Sequence, residues 1–495
     1  MMAALPDRPL RVLFLSAEAE PLIKVGGLGD YSGSLPKALN QVGDVGEIRA
    51  LDVRVALPFH KTIKLNNSNL EKVGNLQVKK KTGFAAGSAY QYTHGSITYY
   101  LIKRSGQAAG YDQVYNAKSI QDARKYIFFS LACMELIQTI GWKPDVIHAN
   151  DWHAAIALHQ LSKRKLEDQY FQSIRSLLVI HNLPFMGEGS QQVLKEYGIQ
   201  PVRNDLLPEW AKLLPLPMGM HTADQIIAVS PGYAKELEQE QFGDGLVHFI
   251  RSHKNIKGIL NGIDTTVWDP GSDPHIIQNY TAASINMKVK NKESLLERFQ
   301  MSGTTRTPLL FFVSRLDTQK GVDLMIRCLE EIKERDFNAI ILGTGSQQLE
   351  KDLVDLESRF PSRIKVVLKF NPELAHQLYA GGDILLMPSR YEPCGLSQMI
   401  AMRYGSIPVA HAVGGLKDSI ISSPEKLKTG YLFHEFSLDA FSRALQEAMA
   451  DFKNKEKWRP IQARGMRKDF SWQHSAKEYT RVYAGLVSNK EQEHG

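Results

Sequence analysis

The sequence predicts an α/β chain made of two doubly wound units, and three observations predict it. The 495 residues exceed what a single hydrophobic core organises. Short β-branched and apolar runs alternate with helical patterns twice over, as buried parallel strands do. Between the two series lies 264–307, rich in Asp, Pro, Ser and Asn at its start and charged later, which places the boundary near 261–273. The first unit is expected over 1–262 and the second over 263–472, with a helical tail at 473–495.

In the first unit Val12–Ser16, Asp52–Leu57, Val146–His148, Ser176–Ile180 and Gln225–Val229 read as strands. In the second the strands are Leu309–Val313, Ala339–Leu342, Ile364–Leu368, Ile384–Met387 and Ile407–Ala410. Open sheets of this kind bind ligands outside the carboxyl ends of their strands.

Composition narrows the function. Hydrophobic residues make up 43% and charged residues 23%, and the formal charge is +7. Over this length the excess suits anionic substrates and is too small to argue for nucleic acid. Cys133, Cys328 and Cys394 lie far apart, with neither zinc spacing nor a disulfide framework. The apolar run Val12–Leu15 is too short for a signal peptide or for a membrane span of roughly 20 residues. The expected location is the cytoplasm, or the plastid stroma if a transit peptide has been removed.

Five motifs follow strands. Lys24-Val25-Gly26-Gly27-Leu28-Gly29-Asp30 follows the first and precedes the helical Ser34–Leu39. Its glycines would let amides approach an anion, to which Lys24 adds a charge; a plain tight turn is the alternative. Ser314–Gly321 carries Arg315 and Lys320 across a strand-to-helix turn, where both could meet one diphosphate and stabilise it as it departs. Two solvated surface cations are the alternative. In Pro388–Ser397, Glu392 could accept hydrogen bonds from a sugar, or simply pair with Arg390 or Arg403. The amides of Cys394, Gly395, Leu396 and Ser397 could form a small anion nest.

His148, Asn150, Asp151 and His153 end the strand Val146–His148, and His181 and Asn182 end Ser176–Ile180. Three histidines on one rim suit sugar hydroxyls better than zinc, because no helical metal spacing is present. Gly343, in Leu342–Ser346, and Phe370 are weaker signals: turn glycine against phosphate contact, and core ring against base stacking.

Together these motifs resemble the starch synthase and bacterial glycogen synthase family, with Val229–Ala234, Ile259–Trp268 and Tyr404–Asp418 adding to the match. The resemblance runs from Val12 to Trp472. It implies the GT-B architecture: two Rossmann-like domains facing a central cleft, with the last helix crossing back to the N-terminal domain. The glucan would bind mainly the N-terminal domain and the nucleotide mainly the C-terminal one. The reaction implied is transfer of glucose from ADP-glucose to the non-reducing 4-hydroxyl of an α-1,4-glucan, with retained configuration and no metal or cofactor. The implied catalytic set is Glu392, Arg315, Lys320, His153 and His181. Lys24, Gly26, Gly27, Gly343, Phe370 and Cys394 to Ser397 would join Arg315 and Lys320 around ADP-glucose. Asp30, Asn150, Asp151 and Asn182 would contact substrate.

Two positions depart from the family pattern. Gln121-Asp122 replaces an Asp-Asn pair, and Pro217 stands where a lysine is common. The competing readings are a catalytically weak glucan-binding or primer-recognition protein and a transferase with another nucleotide-sugar. The expected partners are ADP-glucose and the glucan, with no nucleic acid or membrane, in a monomer or small homo-oligomer.

Overall fold

The computed structural model describes residues 8–46, 48–63, 65, 69–106, 110–252 and 256–488. The chain divides into two compact units, Met1–Gly262 with Trp472–Gly495, and Ile263–Ser471.

The first unit holds β1 (Leu10–Leu15), β2 (Leu51–Pro58), β3 (Leu70–Lys79), β4 (Phe84–His94), β5 (Ile97–Arg104), β6 (Val146–Asn150), β7 (Arg175–Ile180), β8 (Gln225–Ala228) and β9 (Ile256–Gly258). They form one nine-stranded sheet in the order β3-β4-β5-β2-β1-β6-β7-β8-β9. All neighbours pair parallel except β3–β4 and β4–β5. The second unit holds β10 (Leu309–Val313), β11 (Asn338–Leu342), β12 (Ile364–Val367), β13 (Ile384–Met387), β14 (Ile407–His411) and β15 (Tyr431–Phe433). Their order is β12-β11-β10-β13-β14-β15, parallel throughout. This is the 3-2-1-4-5-6 order of a Rossmann sheet.

The central strands are apolar because both faces are covered. Leu310, Phe312, Leu386 and Val409 pack with Met325, Leu329, Leu445 and Ala448 from helices Val322–Glu331 and Leu438–Lys453. The sequence reading missed β3, β4, β5, β9 and β15, and for β3 and β4 the reason is physical. They form an antiparallel edge with alternating exposure, so no continuous apolar run marks them.

In each sheet the winding reverses once, between β1 and β6 and between β10 and β13. Such switch points leave a crevice at the strand carboxyl ends. Lys24–Asp30 and Asn150–His153 follow β1 and β6, while Ser314–Gly321 and Pro388–Ser397 follow β10 and β13. The four motifs therefore sit at the two places where these topologies open.

The terminal helix spans Trp472–Ser488; residues 489–495 of the expected tail lie outside the described residues. It packs on the first unit, and the Ser475 hydroxyl donates to Leu260 O at 2.6 Å. Among the described residues no helix is long and apolar enough to cross a membrane.

Candidate active site

After β1 the chain turns through Ser16–Gly26 and enters helix Gly27–Gln41, several residues earlier than Ser34. The turn is built on Glu18, which sequence reasoning passed over. Its carboxylate is 1% exposed and accepts from the amides of Val25 and Gly26 and from the Tyr115 hydroxyl. Of the glycine amides expected to face a ligand anion, that of Gly26 is thus held by an internal one. Burial pushes the Glu18 carboxyl up, against the pull of those hydrogen bonds. Lys24 remains as the loop's cation. Its ammonium lies 2.6 Å from Asp30 and 3.1 Å from Glu20. Burial lowers its pKa, but the two carboxylates outweigh that and raise it. Asp30 is itself pushed up to about 6, chiefly by burial.

Four residues after β6 and β7 interlock. Asn150 is fully buried; its amide donates to Leu15 O at 2.9 Å and its oxygen lies 3.0 Å from His181 Nε2. An amide oxygen only accepts, so His181 carries its proton on Nε2. Asp151 accepts from the His181 backbone N–H at 2.8 Å and from the Asn182 backbone N–H. Asp151 holds φ 51°, a left-handed conformation that strains a non-glycine residue by about 1–3 kcal/mol. Asn150 and Asp151, expected as substrate contacts, use these groups to hold His181 and Asn182.

His153 and Asn182 differ from them. His153 packs between Trp152, at 4.4 Å, and Tyr126, at 4.5 Å, and its Nδ1 is buried with no protein partner. The Asn182 Oδ1 is orphaned in the same way. Leaving a buried polar atom unpaired costs about 1–3 kcal/mol, so both atoms favour a partner from solvent or a ligand. His148, the third histidine of the expected rim, is not on it. It lies fully buried inside β6 and bonds to tyrosines.

Burial holds His153 well below the ordinary imidazole range and His181 down at about 3, so both are neutral at pH 7. Burial also pushes Asp151 up from 3.8 to about 7. Turnover is therefore expected to fall as pH drops from 8 to 6, because protonating Asp151 weakens its hold on the His181 amide. In a kcat–pH profile, Asp151→Asn should remove that step, whereas imidazole titration would leave it in place. The linkage runs the other way for stability: between about 4 and 7 the folded chain holds a proton that the unfolded chain has released, so this group favours folding below that window and loses the contribution as pH rises through 7.

In the second unit, Lys320 Nζ lies 2.8 and 2.6 Å from the two oxygens of Glu392. Ser389 Oγ donates to the same carboxylate at 3.0 Å. Neither alternative partner of Glu392 is used: Arg390 binds Asp323, and Arg403 binds Asp269. Asp317 ties the two cations together, accepting from Arg315 at 2.7 Å and from the Lys320 amide at 3.0 Å. Arg315 also donates to Gln319, yet its side chain is 62% exposed and can turn to an incoming anion.

Gly321 lets this turn close. Its φ is 68°, and a Cβ there would lie 1.8 Å from Pro388 O. Gly343 has a packing reason to be glycine, since a Cβ would lie 1.9 Å from Ser314 O. Cys394 is buried, and the Cys394 and Gly395 carbonyls accept from Gln398 Nε2. Leu396 precedes helix Ser397–Arg403, and Phe370 stands 85% exposed after β12.

The departures are also explained locally. Asp122 is buried and bound by Asn116 and Lys125. Pro217 lies in helix Pro215–Thr222, packed so closely that a Cβ on Gly219 would lie 2.6 Å from Ala155 Cβ. Among the described residues no group of three or more His, Cys, Asp or Glu is placed to hold a metal ion.

Two Rossmann-type sheets, each carrying its cations at a switch point, define the GT-B class of glycosyltransferases. Residues 11–252 match the starch synthase catalytic domain, and residues 296–464 match glycosyl transferases group 1. The chain is 34% identical to a glycogen synthase of Thermodesulfovibrio yellowstonii, covering 98% of this chain and 100% of that one. It is 36% identical to a glycogen synthase of Lacticaseibacillus casei, covering 97% and 99%. The catalytic domain of starch synthase IV from Arabidopsis thaliana, solved with ADP and acarbose bound, superposes with a TM-score of 0.87 at 30% identity, covering 97% and 100%. The chain belongs to the starch synthase and glycogen synthase family.

Proposed function

We propose that this protein transfers glucose from ADP-glucose to the non-reducing 4-hydroxyl of an α-1,4-glucan, retaining the anomeric configuration. The observation that carries the reading is the Lys320–Glu392 pair beside Arg315, at the β10/β13 switch point. In the reaction the bond from glucose C1 to the diphosphate oxygen breaks, and a bond from C1 to the acceptor O4 forms on the same face. The 4-hydroxyl proton passes to the departing ADP. Negative charge grows on the diphosphate as the bond breaks, so the contribution of Arg315 and Lys320 is largest in the transition state. Glu392 orients Lys320 and offers acceptors to the glucose hydroxyls. This supports a nucleotide bound mainly by the second unit.

In the first unit, neutral His153 and Asn182 bring unpaired polar atoms that suit sugar hydroxyls. This supports a glucan bound mainly by the first unit. The ADP and acarbose held by the starch synthase IV domain support both ligand classes.

Incubation with ADP-glucose carrying labelled glucose and a malto-oligosaccharide tests the reading. It predicts labelled, one-glucose-longer products that an α-1,4-specific amylase digests. UDP-glucose should serve at least ~10-fold less well, the discrimination expected of a shaped base pocket. An absence of product from ADP-glucose would reject the assignment.

A further inference from the structure

The terminal helix Trp472–Ser488 does more than cover the first sheet. Tyr479 and Tyr483 are four residues apart and so share one helix face. Both rings are fully buried, as are Tyr31 and His148. Four hydrogen-bonding groups from three elements meet there. Tyr31 Oη donates to Tyr479 Oη at 2.9 Å and lies 3.1 Å from His148 Nε2. Tyr483 Oη lies 2.7 Å from His148 Nδ1.

Donor arithmetic gives this chain one direction. Tyr31 has a single proton and spends it on Tyr479, so it accepts from His148, which must carry its proton on Nε2. Nδ1 is then an acceptor, filled by the Tyr483 hydroxyl. The run is Tyr483 to His148 to Tyr31 to Tyr479, with each junction satisfied.

Tyr31 is also the hinge of the site. It lies one residue after Asp30, just beyond the first turn of helix Gly27–Gln41. Its ring meets His181 edge-on at 4.5 Å, with an interplanar angle of 81°. Trp472, the first residue of the terminal helix, backs the same ring at 5.5 Å. His181 is thus gripped by Asn150 on its nitrogen and by Tyr31 on its face.

We propose that the terminal helix is a positioning element of the active site: Tyr479 and Tyr483 fix His148 and Tyr31, and Tyr31 fixes His181 and the Gly27–Asp30 turn. The proposal rests on the glucosyltransferase reading above. Its residues act through others and touch no substrate. Small displacements at a reacting centre lower the rate by up to ~10²-fold while leaving affinity little changed.

The test uses the full chain with Tyr479→Phe and Tyr483→Phe, each of which removes one hydroxyl and keeps the ring. For the folded fraction, kcat for glucose transfer is expected to fall by ~10-fold in each variant, with KM for ADP-glucose and for glucan within about twofold. Where a hydroxyl deletion fails to fold, Trp472→Phe leaves the hydrogen-bond run intact but withdraws support from the Tyr31 ring, and the same kcat loss is expected. An active wild type whose folded variants keep full kcat, or lose rate only in proportion to unfolding, overturns this proposal alone. A wild type that transfers no glucose overturns the glucosyltransferase reading, and this proposal with it.

Discussion

Arg315→Ala and Lys320→Ala are each expected to lower turnover by ~10²-fold or more, the usual consequence of losing a charge contact made in the transition state. The two variants are not equivalent. Lys320 is 15% exposed and its partner Glu392 only 6%. Removing Lys320 leaves a buried carboxylate with Ser389 as its remaining described side-chain partner, and stranding a buried charge costs about 3–5 kcal/mol. Part of the loss in Lys320→Ala is therefore expected as lost stability. Arg315 is mostly exposed, and its bond to Asp317 contributes little to folding. Arg315→Ala should melt close to the wild type and still lose its rate, which makes it the cleaner probe. Steady-state kinetics beside thermal melts separate the two effects. Near-normal turnover in both variants would contradict the role assigned to this turn.

Glu18→Gln is expected to disorder the Lys24–Asp30 turn. Its buried carboxylate holds two amides and the Tyr115 hydroxyl. Hydrogen bonds to a charged acceptor contribute about 1.5–3 kcal/mol each, and an amide side chain replaces one accepting oxygen with a donor. A stability loss of about 2–4 kcal/mol follows, together with a turnover loss of ~10-fold or more as Lys24 loses its place. Glu20→Gln is the control. Glu20 is 46% exposed on its side chain and meets Lys24 only at the surface, so melting and turnover should stay near wild type. Equal effects from the two substitutions would contradict the assignment to Glu18.

The strands that carry the site were legible because they are buried on both faces. Val146–His148 and Ile384–Met387 read as short, mostly apolar runs with polar residues following, so the motifs after them could be assigned to strand ends. What joins those motifs was not legible. Lys320 and Glu392 lie 72 positions apart, and nothing local favours Lys320 over Arg390 or Arg403 as the partner of Glu392. Glu18 and Glu20 are near-identical in sequence context; burial alone separates them, and burial there depends on the returning turn at Val25 and Gly26. Tyr31 and Tyr479 are 448 positions apart, and only the terminal helix's return brings them together. His148 looks like a rim histidine by position, but it lies within β6, where Tyr31 and Tyr483 cover it.

The account's central claim is that the cations after β10 hold the diphosphate of the donor. A structure of this chain with ADP bound tests it most directly. The account predicts the Arg315 guanidinium and Lys320 Nζ at hydrogen-bond distance, about 2.7–3.2 Å, from phosphate oxygens. ADP bound elsewhere, with both side chains turned away from it, would contradict it.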